Sequence, residues 1–337
     1  MEATTNIKIK KTRMKGAKMN VFAAILLVIL FAYMFSLFIP LAWGLMTSLK
    51  APNDFDVYKN ILGLPVFDRW NGKSIFGNYV NAWKGMQYQP SGVSYYSIMV
   101  RGGVEKVYAW SLTQFGWSVF NKTKIVMNVF DFVLNTLVYA LGVAAFTAIP
   151  PMLIGYLCAR FNFKITAILY GTVIFCITTP IVGNSATLLN FLQRFGLYSK
   201  FWAEWIRHGA WTNIWTLYFY AFFKGLSNTY SEAAEIDGAS QFGILIRIII
   251  PLAKNILTTI FLMVFVGAWS DYNTPLMYIP TMPTLSYAVF QYTRAGKTDG
   301  VYNKVAAVLI LVIPILLLFI VAKDKVMGNL TLGGLKE

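Results

Sequence analysis

The chain has 337 residues, of which 57% are hydrophobic and only 13% charged. Soluble domains carry about 25% charged residues, so the shortfall argues against a soluble globule and for a bilayer as solvent. The formal charge of +15 does not mark a nucleic-acid binder, because the basic residues sit at the ends of apolar runs rather than among stacking aromatics, which is the pattern of membrane topology. Cys158 and Cys176 lie inside apolar runs and His208 is the single histidine, so neither a metal spacing nor a disulfide framework exists.

Residues 1–20 hold Lys8, Lys10, Lys11, Arg13, Lys15 and Lys18 against one acid, Glu2; a basic tail before an apolar run reads as cytoplasmic. No charged residue occurs between Lys18 and Lys50, a gap longer than the roughly 20 residues that cross a bilayer. Residues 21–47 are therefore expected to form a first, uncleaved span. Residues 48–130 are polar and aromatic, and are expected to form a long extracytoplasmic loop; their basic residues do not oppose this, since long loops escape the positive-inside count.

A second span is expected between Asp131 and Arg160, kinked or broken at Pro150-Pro151. A third lies between Lys164 and Arg194, interrupted at Thr179-Pro180 and Gly183-Asn184. A short fourth falls between Arg207 and Lys224, with Trp205, Trp211 and Trp215 as interfacial anchors. The fifth is expected over 256–272, ahead of Pro275, Pro280 and Pro283, and the sixth between Lys304 and Lys323 with Pro314 inside it. The expected fold is thus an all-α integral membrane protein with six transmembrane helices. Its domains are a tail 1–20, a first span, the loop 48–130, a five-helix core 131–323 and a tail 324–337. Six spans put both termini on one side. That side then holds fourteen basic residues, against six in the short outer connections, which orients it to the cytoplasm.

The polar stretch 225–255 lies between the fourth and fifth spans, on that cytoplasmic side. Thr229-Tyr230-Ser231-Glu232 fits a capping box with Thr229 as N-cap. A short helix is expected through Glu235 or Ile236, ended by Gly238 in a left-handed conformation. A second helix is expected from about Ser240 to Ile249, ahead of Pro251. Ala233, Ala234, Gly238 and Ala239 would leave its exposed part small enough for another protein to approach. On local physics alone, an ordinary capped connection fits equally well.

Glu232-Ala233-Ala234, Gly238, Ile248 and Pro251 at this spacing resemble the EAA loop of binding-protein-dependent ABC importer permeases, with Ile250 in the usual Leu slot. Pro40-Leu41-Ala42-Trp43, Ser48-Leu49-Lys50, Trp269-Ser270-Asp271-Tyr272-Asn273, Thr284-Leu285 and Leu330-Thr331-Leu332-Gly333-Gly334-Leu335-Lys336 are similar to segments of the maltose-type carbohydrate permeases of that group. Residues 87–125 look like an insertion. The resemblance implies the type I ABC importer permease fold, in a bacterial or archaeal cytoplasmic membrane. It implies that Glu232 contacts a cytoplasmic ATPase, that Ala233 and Ala234 pack into it, and that Asp237 and Gly238 complete the coupling turn. The implied partners are a second homologous permease subunit, two ATPase subunits and an extracytoplasmic solute-binding protein. This chain is not expected to be an enzyme or to hold a cofactor. ATP and Mg would belong to the ATPase, since Gly72-Lys73-Ser74 and Gly296-Lys297-Thr298 lack the first Gly of a Walker motif, with Phe67 and Gln291 in that place.

A permeation path needs polar or aromatic groups at breaks in helices. Asn135, Asn184, Asn190, Trp269, Tyr272 and Asn273 are the candidates, against the plainer readings of interhelical hydrogen bonds and interfacial anchoring. The spans lack buried acid–base pairs, which fits an uncharged solute such as a sugar. An ion-driven secondary transporter would need ionisable groups at mid-membrane, where only Asp131 and Asp271 come near. A membrane enzyme would have one histidine and no carboxylate cluster to work with.

Overall fold

The computed structural model describes residues 21–70, 74–87, 127–179, 183–294 and 300–330, with the side chains of Phe55 and residues 322–330 set aside. The basic tail 1–20, residues 88–126 with nearly all of the expected 87–125 insertion, both Gly-Lys-Ser/Thr segments in large part, and the tail beyond Leu330 lie outside these residues. Among the described residues the architecture is helical, with no sheet.

Helix α1 (Val21–Ser48) is apolar on every face and exposed along most of its length; only Gly44, Thr47 and Ser48 near its end are buried. A helix apolar all round is a membrane span or a core helix, and this one has no core around it. Its end meets a folded cap rather than a loop. α2 (Pro52–Asp56), a 3₁₀ turn (Phe67–Trp70) and α3 (Gly77–Gly85) follow. Lys50 is fully buried and its Nζ donates to the carbonyls of Asn60 at 2.7 Å and Ile61 at 2.9 Å. Arg69 pairs with the buried Asp54, and Asn78 Nδ2 donates to the carbonyls of Ser48 and Lys50 at 2.8 Å each. These bonds satisfy polar groups that burial would otherwise penalise.

α4 (Val129–Arg160) is the spine. It stays helical through Pro150 and Pro151, so the expected break does not form. Its neighbours explain why: α8 (Ile214–Gly225) and α11 (Ile250–Ser270) pack along it, and tertiary contact outweighs the bonds the prolines remove. Val129 to Ala144 of α4 lie in one apolar cluster with Trp269, Ile279, Leu285 and Ala306; Ala148 to Ala159 lie in a second with Phe219, Phe223, Ala234, Ile244 and Ala253. Gly155 lets α8 approach: a Cβ there would stand 2.9 Å from the Tyr220 amide nitrogen.

α5 (Lys164–Thr178), α6 (Ser185–Arg194) and α7 (Phe201–His208) precede α8. The third expected span is thus split, ending its first helix at Thr178. Trp205 stacks with Phe146 and Phe201 and covers Gly142. It packs α7 against α4. After α9 (Thr229–Ile236), α10 (Gln241–Ile244) runs through a π turn, Leu245–Ile249, into α11 without interruption. Pro251 therefore does not end a helix, contrary to expectation. The Ile250 N–H reaches five residues back to Leu245 O, and this widened turn relieves the clash that a proline ring makes with the preceding turn. α12 (Asn273–Tyr278), α13 (Leu285–Arg294) and α14 (Val301–Leu330) complete the fold, α14 unbroken across Pro314.

Among the described residues, four helical segments are long and apolar enough to cross a membrane: Val21–Ser48, Val129–Arg160, Gln241–Ser270 and Val301–Val321. α5, with 15 residues, and α8, with 12, reach about 22 and 18 Å at 1.5 Å per residue, short of the roughly 30 Å hydrocarbon core.

Candidate coupling site and permeation path

The site begins with one side chain occupied elsewhere. Asn228 stands at the N-cap of α9, and its carbonyl accepts from the amides of Ser231 at 2.9 Å and Glu232 at 3.0 Å. Its side-chain oxygen does not cap the helix, because Arg160, the last residue of α4, holds it. The Thr229–Glu232 capping box does not form. Instead the Thr229 amide donates to Ser227 Oγ at 3.3 Å. The other end follows the expectation closely. Gly238 has φ +78°, its N–H donates to Glu235 O at 3.0 Å, and the Ala239 N–H to Ala234 O at 2.9 Å. That pair of bonds is a Schellman ending. Ser240 Oγ then caps α10 by accepting from Gly243 N at 3.2 Å, and Gln241 Nε2 donates to Glu235 Oε1 at 2.6 Å, bracing the two helices.

Glu232, Ala233, Asp237 and Gly238 are exposed. Ala234 is not: it is 8% exposed and packs in the second cluster beside Ile244. The structure corrects the expectation that Ala234 faces a partner; it fastens α9 to its own chain. Large apolar groups stand out instead, Ile236 at 87% and Phe242 at 70% exposure, with Tyr230 nearby in sequence and also exposed. Sequence reasoning passed over them, although two bulky apolar residues inside a polar stretch were the available signal.

The expected path residues divide into three groups. Trp269 is buried in the first cluster and donates its indole N–H to Leu311 O at 3.1 Å. Asn135 Nδ2 donates to Pro283 O at 3.0 Å. Each thus bonds a carbonyl distant in sequence, Trp269 one on α14 and Asn135 one in the turn before α13. Asn184 and Asn190 are exposed on or beside α6, while Tyr272 and Asn273 are exposed at the start of α12, where Tyr272 stacks on Phe290 with centroids 4.3 Å apart. Asp271 is fully engaged as a structural acceptor. Its Oδ1 takes the amides of Asn273 at 2.9 Å and Thr274 at 3.1 Å, and its Oδ2 takes the hydroxyl of the buried Tyr139 at 3.1 Å. Asp131 accepts from the Asn128 amide at 2.9 Å at the start of α4. Both carboxylates cap helices.

On α7, Glu204 is buried and Arg207 Nε donates to its carboxylate at 2.8 Å. Burial pushes the Glu204 carboxyl up, against the pull of Arg207. Burial pushes the His208 imidazole down, and the Arg207 charge adds to this.

The family model for the inner membrane component of binding-protein-dependent transport systems matches residues 152–325. The chain belongs to this family. It is a transport subunit of a membrane, not an enzyme. The diacetylchitobiose uptake system permease protein NgcG of Streptomyces coelicolor is 22% identical over 316 residues, covering 93% of this chain and 88% of the relative. The trehalose/maltose transport system permease protein MalG of Thermococcus litoralis is 28% identical over 210 residues, 60% of this chain and 74% of that one. The solved structure of a bacterial ABC transporter that imports the acidic polysaccharide alginate aligns with a TM-score of 0.60 over 90% of this chain and 96% of the other, at 16% identity, a likeness of fold alone. The matched span takes in the end of α4 from Met152, α5 through α13 and most of α14, and so the whole α9–α10 segment.

Proposed function

We propose that this chain is the permease subunit of an ATP-driven importer of sugars or oligosaccharides, and that α9 is its point of contact with a separate ATPase. The observation that carries this reading is the geometry of the 228–243 segment. A helix fixed at both ends, and fastened underneath by Ala234, presents Glu232, Ala233, Asp237 and Gly238 with the apolar pair Ile236 and Phe242. A rigid helix bearing apolar anchors within a charged rim has the anatomy of a protein–protein contact. ATP and Mg belong to two ATPase subunits, and a second permease subunit completes the membrane unit. Six crossings place both termini in the cytoplasm, with α5 and α8 crossing where neighbouring helices thin the apolar layer. Residues 48–130, including the 87–125 stretch, face outward and dock the solute-binding protein. The solute passes Asn184, Asn190, Tyr272 and Asn273.

The names of the relatives support a saccharide; another small uncharged solute is the second reading, and the engagement of Asp131 and Asp271 as helix caps fits either. That same engagement weighs against ion coupling. Glu232→Ala and Gly238→Asp in the complete transporter test the coupling assignment. Both variants are expected to assemble and to co-purify with less ATPase, with uptake lost. Normal uptake in both would refute it.

A further inference from the structure

We infer that Arg160 is a positioning residue that makes α4 the link between the coupling segment and the far end of the molecule; this rests on the coupling reading above. The Arg160 guanidinium gathers three successive groups of the turn between α8 and α9. Nη2 donates to Leu226 O at 2.8 Å and to Ser227 O at 3.5 Å, and Nη1 donates to Asn228 Oδ1. One side chain therefore ties the end of α4 to the end of α8 and to the N-cap residue of α9. A planar fork of donors suits this task in a way that an ammonium does not. The cation also stands at carbonyls just past the C-terminus of α8, where positive charge is favourable.

The other end of the same helix is tied just as specifically. Tyr139 Oη donates to Asp271, Asn135 Nδ2 to Pro283 O, and Thr136 Oγ1 accepts the Leu285 amide at 2.8 Å. These bonds fix the 271–286 segment, which includes the exposed Tyr272 and Asn273. From Tyr139 to Arg160 the helix runs about 32 Å at 1.5 Å per residue. It is packed along that length by α8 and α11. A displacement of α9 passes through the guanidinium into α4, and α4 carries it as a rod to the 271–286 segment. Rigid secondary elements and hydrogen-bond networks are among the structures that carry coupling between distant sites, and α4 is held by such bonds at both ends.

The experiment uses the complete transporter with its partner subunits in nanodiscs, cysteine-free apart from one introduced probe, and ATP with vanadate as the trapping ligand. Ile236→Cys reports docking through its protection from alkylation. Asn273→Cys reports the far end through a change in alkylation rate on trapping. In the wild-type background both signals are expected. In Arg160→Met, protection of Ile236→Cys is expected to stay while the trapping response at Asn273→Cys is lost, and Arg160→Lys is expected to restore that response only in part. A response at Asn273→Cys that survives in Arg160→Met overturns the inference. So does joint loss of both signals, which would make Arg160 a mere support of the docking surface. Absence of protection at Ile236→Cys in the wild-type background would instead refute the coupling reading itself.

Discussion

At the scale of single residues, Gly238 and His208 make sharp tests. Gly238 holds φ +78° with open space where a Cβ would go, so a substitution there meets backbone strain and no clash. Gly238→Val is expected to lower stability by about 1–2 kcal/mol and to release the Schellman turn, whereas Gly238→Asn, a residue tolerant of this conformation, keeps it. Thermal melts of the purified transporter distinguish the two. His208 bonds the Glu204 carbonyl through Nδ1 at 2.8 Å and faces Arg207, Glu204 and Asp271. Its folded pKa lies below its ordinary value, so its contribution to stability is full above pH 6.5 and is lost as pH falls through the folded value. The melting temperature is expected to drop between pH 7 and pH 5 in the wild type, with a smaller drop in His208→Gln; equal drops would show that another group titrates. Tyr139→Phe removes a bond to the Asp271 carboxylate, and is expected to destabilise by about 1.5–3 kcal/mol in denaturant titrations.

At the scale of elements, α4 and α8 are joined through Gly155. A Cβ there meets Phe219 Cβ at 2.8 Å and Thr216 O at 3.1 Å in addition to the Tyr220 amide, and backbone cannot yield as a side chain tip can. Gly155→Val is expected to cost about 1–3 kcal/mol through overpacking and to reduce the yield of assembled transporter, read by size-exclusion chromatography. The elements also show what was legible in sequence. The left-handed Gly238 was readable because one residue type answers one backbone need, and the spans around α1, α4, α11 and α14 were readable from uncharged gaps. Pro150, Pro151 and Pro251 misled, because proline states a local preference while α8 and α11 packing and the π turn are settled by neighbours far off in sequence. Ala234 misled for a related reason. Small size fits both a docking surface and a tight core, and only its neighbours Ile244 and Phe223 decide between them. Arg160 was read as a topology signal, and nothing local to it announces Asn228, which lies 68 residues away.

At the scale of the whole molecule, two apolar clusters are strung along one helix, the coupling segment lies at one end and the Tyr272–Asn273 break at the other. α1 packs its later part against α14 and is otherwise exposed, and its length and apolar character are those of a membrane span. In the proposed function, work enters at α9 from a separate ATPase. A photoreactive amino acid at position 236, illuminated in membranes containing the complete transporter, tests it most directly. An adduct between this chain and a subunit bearing Walker motifs, suppressed in Gly238→Asp, is the predicted result. Labelling confined to lipid or to this chain itself would contradict it.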